Sequence, residues 1–291
     1  MFQMDEKFFA QLQKDCCWFT LPMFDSLPKI DPTVDVMADE ALWNDDVCVQ
    51  RHIFAMIFGA FGYSVNLTRA RSTALMKLGQ IENREPEDKS PDNPDFVNWL
   101  RLFAQYNILL GTVFAYRHEY RLAASLFMNG LKTRAINLSM PYCDFIKYVL
   151  SKVAEMPAEI AHYDGCGFSA DEPMGSTELN GGMLNARVAE MIISALEGNE
   201  GEIILSYYGG QKYGNLKRLG STNSNKFRNF IDIYEVLAID RKFNLKKIRF
   251  YFNGYFSSQS GFNIRLPKGF RLDPLSKAAQ IFGVADNHKT T

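Results

Sequence analysis

Three stretches carry residues that could do chemistry together. In His162-Tyr163-Asp164-Gly165-Cys166 an imidazole lies four residues from a thiol. Such a pair serves as a nucleophile with its base or as two soft metal ligands. Catalytic Cys/His pairs ordinarily meet from distant positions. No second Cys or His flanks this pair to complete a tetrahedral site. His162 and Cys166 are therefore the catalytic candidates, and the pattern calls for no metal and no cofactor.

The second stretch, Gly209-Gly210-Gln211-Lys212-Tyr213-Gly214, follows a run expected to be a strand, Glu202 to Tyr208. A nucleotide-binding P-loop needs Lys and then Ser or Thr directly after its last glycine, to reach phosphate and Mg²⁺. Asn215 and Leu216 stand there instead, which excludes that ATPase class. A looser anion site is expected where Ser221 or Thr222 caps a helix running to Ile239, with Lys212, Lys217 and Arg218 beside the helix N-terminal amides.

The third stretch is Lys247-Ile248-Arg249-Phe250-Tyr251-Phe252. Its alternation predicts a strand with Ile248, Phe250 and Phe252 inward and Lys247, Arg249 and Tyr251 outward. Phe262, Ile264 and Leu266 alternate with Asn263 and Arg265 after a Ser/Gly turn, so the two runs read as a β-hairpin with one basic face. Lys247, Arg249 and Arg265 then join Lys212, Lys217 and Arg218 as anion-binding candidates. Cations interleaved with an aromatic are how single-stranded nucleic acids are held.

The charge balance along the chain sharpens this. Residues 209–271 hold thirteen Lys/Arg against Asp232, Glu235 and Asp240, a net of +10, whereas residues 1–50 hold three Lys against ten acids, a net of −7. Either the basic region binds a polyanion, or it docks the acidic N-terminal arm within one chain or across a homo-oligomer. The acids Glu85, Glu87, Asp88, Asp92 and Asp95 read as solvation of a loop, and His52, His118 and His288 as isolated imidazoles.

Charges interrupt the N-terminal apolar residues, so no signal-peptide core is expected, and no apolar run reaches the length of a membrane helix. Five cysteines without a CxxC pair read as reduced thiols. A cytoplasmic protein with no membrane partner is the expectation.

The elements that position these residues read as α+β, with helices first. Residues 5–19 read as an amphipathic helix and 20–36 as a Pro-punctuated arm. Helices are expected over 38–63 (broken near Gly59 and Gly62), 67–82, 95–117, 119–137 and 142–156, with a polar Pro-rich loop at 82–95. The domains expected are an acidic arm (1–37), a helical domain (38–157), a linker loop (158–182) and an α+β domain (183–291). The last holds a helix at 183–197, the strands above and a helix over 274–283.

One internal pattern is repeat-like. Asn107, Leu110-Gly111, Phe114, Ala123, Phe127 and Gly130 follow the spacing of a tetratricopeptide repeat, and Phe58, Phe61-Gly62, Val65, Ala74 and Leu78 form an upstream copy. On these residues the region 55–156 resembles tetratricopeptide-repeat proteins. Asn107 stands in the tryptophan place and Ala135 in the proline place. The resemblance implies stacked helical hairpins with a concave surface for a protein or peptide. An ordinary helical bundle packs small against large residues in the same way. The leading expectation is a non-enzymatic interaction module for a protein or peptide. The second is nucleic-acid or polyanion binding through the basic region, and the third is an enzyme with its site in 158–182.

Overall fold

The computed structural model describes residues 31, 33–59, 62–90, 92–136, 138, 140–177, 183–184, 186–207, 213–214, 216–256 and 264–282. The chain divides into two units, Met1–Val149 and Leu150–Thr291. The architecture is α+β, a helical front followed by a curled mixed sheet. The expected helix over 5–19, most of the acidic arm, Lys212 and the turn at 257–261 lie outside the described residues.

In the first unit the first four helices each begin at a side-chain cap. Asp39 receives the Leu42 amide at the head of α1 (Glu40–Asn44), and Asp45 receives Val47 and Cys48 at the head of α2 (Asp46–Phe58). Asn66 caps α3 (Leu67–Glu82), and Asn93 with Pro94 opens α4 (Pro94–Tyr116). These caps satisfy amides that the helix itself leaves unpaired. Gly59, at φ 65°, ends α2 in the left-handed region that favours glycine. Then come α5 (Tyr120–Lys132) and α6 (Met140–Ala154), the latter crossing the border between the units.

α4 is the centre of this unit. Every residue from Phe103 to Ala115 is buried, as expected of a helix that is apolar on all sides. Two glycines let α5 approach it closely. A Cβ at Gly111 would stand 2.7 Å from the Phe127 ring, and one at Gly130 would stand 2.8 Å from the Ala104 carbonyl oxygen. Gly62, by contrast, lies in the turn between α2 and α3 at φ 83°, with nothing within 4 Å of where its Cβ would be. The glycine of the downstream repeat-like segment therefore sits at a helix crossing, and that of the upstream segment does not. Lys77 of α3 is buried. It donates to the Trp43 carbonyl at 2.6 Å, pairs with Asp46 at 3.1 Å and lies over the Trp43 ring. Tyr106 of α4 donates to the same carboxylate at 3.1 Å, so one cluster ties α1, α2, α3 and α4.

The second unit is built on a hairpin of β9 (Ile231–Ile239) and β10 (Leu245–Asn253), paired from Asp232↔Phe252 to Ile239↔Leu245. Asp240 closes it by accepting the amides of Lys242 and Asn244. Around it lie β1 (Glu159–Ile160), β2 (Met174–Ser176), β4 (Leu196–Gly198), β5 (Ile203–Ile204), β8 (Lys217–Thr222), β12 (Ile264–Arg265) and β13 (Phe270–Leu272). The order is β12-β2-β10-β9-β5-β4-β13, with β1 also beside β10 and β8 beside β9. Two small pairs, β3 (Met183–Leu184) with β11 (Tyr255–Phe256) and β6 (Ser206–Tyr207) with β7 (Tyr213–Gly214), stand apart from it. One sheet face buries Met174, Tyr234, Val236, Ile248, Phe250 and Phe252 together with Val188, Ile192 and Ile193 of α7 (Ala186–Ser194) and Ala278 of α8 (Lys277–Phe282).

Three expectations change here. The helix expected to run from near Ser221 to Ile239 is β8, a turn and β9. Ile231, Ile233, Val236 and Ile239 are β-branched and prefer strand geometry. β9 is apolar on both faces, a pattern that helical and strand periodicities fit equally well. The expected hairpin of 247–252 with 262–266 does not form, because β2 lies between β10 and β12, parallel to the former and antiparallel to the latter. The stretch expected to be a linker, 158–182, supplies β1 and β2 to the sheet.

Candidate polyanion interface

Along β10, Ile248, Phe250 and Phe252 are fully buried, while Lys247 and Tyr251 are partly exposed and Arg249 is exposed on the opposite face. Register extends that face across neighbouring strands. Glu235 of β9 is the Cα partner of Arg249 on one side and of Lys217 on the other. Asn253 of β10 partners Gly175 of β2, which in turn partners Arg265 of β12. Paired residues share a face, so Lys217, Lys247, Arg249, Tyr251 and Arg265 all lie on the side away from α7.

The charge on this face is poorly compensated. Among the described residues the Lys217 and Lys247 side chains have no hydrogen bond or ion pair. Arg249 meets Glu235 only at 3.5 Å, with its own side chain 55% exposed. Arg265 donates from Nη2 (2.8 Å) and Nε (3.3 Å) to the Pro173 carbonyl, a neutral partner that fixes the guanidinium and leaves its charge intact. On β8, β10 and β12 four cations thus surround the carboxylate of Glu235, and farther along the same face Arg271 of β13 pairs with Glu197 of β4 at 3.1 Å. Spacing along a strand sets Lys247 and Arg249 about 7 Å apart, and adjacent strands lie about 5 Å apart.

The remaining candidates fall elsewhere. Arg218 sits on the other face of β8. Its Nη2 is 2.8 Å from Asp232, and Ser221 bridges the two by donating to Asp232 at 2.7 Å. Its charge is neutralised in place. The anion site expected near Ser221 and Thr222 has no helix to build on, since both residues are in β8. Cys166 directs its thiol to the Leu266 carbonyl at 3.1 Å and the Pro173 carbonyl at 3.7 Å, and burial pushes its pKa up, away from thiolate. His162 is exposed and makes no hydrogen bond or ion pair among the described residues. The pair is therefore not assembled as nucleophile and base. Among the described residues no group of three or more His, Cys, Asp or Glu could hold a metal ion, and no helix is long and apolar enough to cross a membrane.

Glu235 is the group that sequence reasoning left out of this face. With residues 221–239 read as a helix, Glu235 belonged to an exposed helical side, and only the alternation of β9 against β10 places it between Lys217 and Arg249.

No protein-family model, curated protein or solved structure matches this chain.

Proposed function

We propose that this protein binds an extended polyanion on the basic face of its sheet. The observation that carries this reading is the convergence of Lys217, Lys247, Arg249 and Arg265 around the one carboxylate of Glu235 on β8, β9, β10 and β12, with the other carboxylate of this face, Glu197, paired to Arg271. Polyanion affinity comes chiefly from releasing counterions as cations neutralise phosphates or sulfates, so it falls steeply with salt. The expected result is retention of the full chain on immobilised heparin at low salt and elution as salt rises. Lys247→Glu with Arg249→Glu is expected to abolish retention. Both side chains lie at least partly exposed and outside the core, so the fold tolerates the change. A wild-type chain that flows through at low salt, or retention unaffected by the double reversal, removes this reading.

A second reading, protein or peptide binding by the helical unit, is favoured by two observations. Gly111 and Gly130 meet α5 and α4 at the small positions of the tetratricopeptide spacing. Leu75 and Met76 expose apolar surface on α3, at 43% and 55%. This reading expects selection from a random peptide library to yield a ligand whose binding is lost on Leu75→Glu with Met76→Glu. A library that yields no such ligand counts against it.

A further inference from the structure

Glu235 is out of place on a surface selected only for positive charge. It stands between Lys217 and Arg249 by register, and its side chain is 24% exposed. A ligand carrying only carboxylates or sulfates meets like charge at that point. A nucleobase does not, because it offers N–H donors alongside the phosphates of its strand. A glutamate accepts well from the exocyclic amino group of cytosine.

Tyr251 is the second observation. It lies two residues beyond Arg249 on the same face and is partly exposed. Its ring makes no aromatic or cation contact, and its hydroxyl makes no hydrogen bond, among the described residues. Its Cα partner on β9 is Ile233. On the other side its amide donates to the carbonyl of Gly167 at 2.8 Å, which fixes the backbone that carries the ring. Partly exposed aromatic rings beside cations are stacking platforms for single strands, since every base has a π-face. Glu235 and Tyr251 are diagonal neighbours, about 7–8 Å apart, so neighbouring bases of one strand can meet the two side chains.

We infer that the polyanion is a single-stranded nucleic acid. It stacks a base on Tyr251, offers a base amino group to Glu235 and lays its phosphates along Lys217, Lys247, Arg249 and Arg265. This rests on the polyanion reading above, and the test separates the two. Full-length protein is titrated against short fluorescent oligodeoxycytidylate and oligothymidylate and read by anisotropy, with polyglutamate as competitor and heparin retention measured in parallel. Oligodeoxycytidylate is expected to bind more tightly, because thymine lacks the amino group. Tyr251→Leu is expected to weaken both oligonucleotides by about tenfold or more, while Tyr251→Phe retains binding and heparin retention stays intact. Glu235→Gln is expected to erase a preference for cytidylate of roughly fivefold to tenfold without loosening heparin. Should heparin be held through Lys247 and Arg249 while the oligonucleotides fail to bind, or polyglutamate displace them as readily as unlabelled oligonucleotide, the nucleic-acid inference is overturned and the polyanion reading stands. Unchanged affinity in Tyr251→Leu overturns it equally. Heparin retention indifferent to the double reversal overturns both.

Discussion

Replacing Lys246 with Met is expected to destabilise the sheet unit by about 4 kcal/mol at neutral pH. Lys246 ties the turn before β5 to the β9–β10 hairpin. Its Nζ lies 2.9 Å from Glu200, 3.0 Å from Glu202 and 3.8 Å from Asp240. Glu202 is buried, at 1% exposure, and also accepts from the Tyr163 hydroxyl at 2.9 Å and the Glu200 amide at 3.1 Å. Gly198 makes room for it, since a Cβ there would stand 2.2 Å from the Glu202 carboxylate. Burial alone raises a carboxyl's pKa, but hydrogen bonds from Lys246 and Tyr163 outweigh it and hold Glu202 below the ordinary value. Burial likewise works against charge on Lys246, and its bonds to Glu200 and Glu202 outweigh that, so its pKa is raised.

Removing the ammonium leaves Glu202 as a buried carboxylate without a cation, and this leftover charge is where most of the cost arises. The sign with pH follows. In wild type the depressed Glu202 pKa supplies stability that is present above about pH 4.5 and lost below it. In Lys246→Met the Glu202 pKa moves above its unfolded value, so the variant's deficit shrinks as pH falls. The three tryptophans, Trp18, Trp43 and Trp99, all lie in the first unit, so the readout is hydrogen exchange of the β9–β10 amides, which reports opening of the sheet. Protection in Lys246→Met within about tenfold of wild type at pH 7 would contradict the assignment. In a double-mutant cycle with Glu202→Leu the two costs are expected to be strongly non-additive, the second change removing the charge that the first one strands.

This cluster also shows where sequence reasoning stops. The helices were legible because their determinants are local. A cap such as Asn66 or Asn93, a 3.6-residue apolar period and Gly59 at the end of α2 all lie within one turn of what they control, and the expected helix over 67–82 matches α3 to the residue. The outward placement of Lys247, Arg249 and Tyr251 was legible for the same reason, since alternation within one strand decides it. The arrival of Arg265 on that face was expected from a direct hairpin, but it comes about through β2, a three-residue strand with a central glycine and no strand signature. Nothing local distinguished β9 from a helix, because the decision was made by pairing with β8 and β10. The union of Tyr163, Glu202 and Lys246 is likewise a product of topology, and each reads separately as an ordinary surface residue.

The second large effect lies in the helical unit, where lowering the pH from 7 to 4 is expected to cost about 3 kcal/mol through His52 alone. His52 is fully buried on α2, and its Nδ1 is 2.8 Å from the Tyr63 hydroxyl. Tyr63 spends its one proton on the Asp31 carbonyl at 3.2 Å, so Nδ1 carries the imidazole hydrogen. Nε2 is then a bare lone pair, buried and without a hydrogen-bond partner. A proton placed there has no acceptor and lies near the charge of Arg69. Burial first, then Arg69, brings the pKa down to about 4, with Asp35 pulling weakly the other way. An unfolded histidine titrates near 6.5. Between these values the unfolded chain binds a proton that the folded chain refuses, so stability falls with pH across that window and is already lost by pH 4. Asp31 and Asp35, whose own pKa values are lowered by hydrogen bonds from Thr33 and Met37, add to the slope only at its acid end, and their share is common to wild type and a His52 variant. Urea unfolding followed by Trp43 and Trp99 fluorescence at about pH 7, 5.5 and 4 measures the slope. His52→Phe is expected to start less stable, because Tyr63 loses its partner, yet to lose about 3 kcal/mol less than wild type on acidification. Parallel pH dependences for the two proteins would mean that folding does not lower the affinity of His52 for a proton, and the buried, unpartnered Nε2 would not be the source of acid sensitivity.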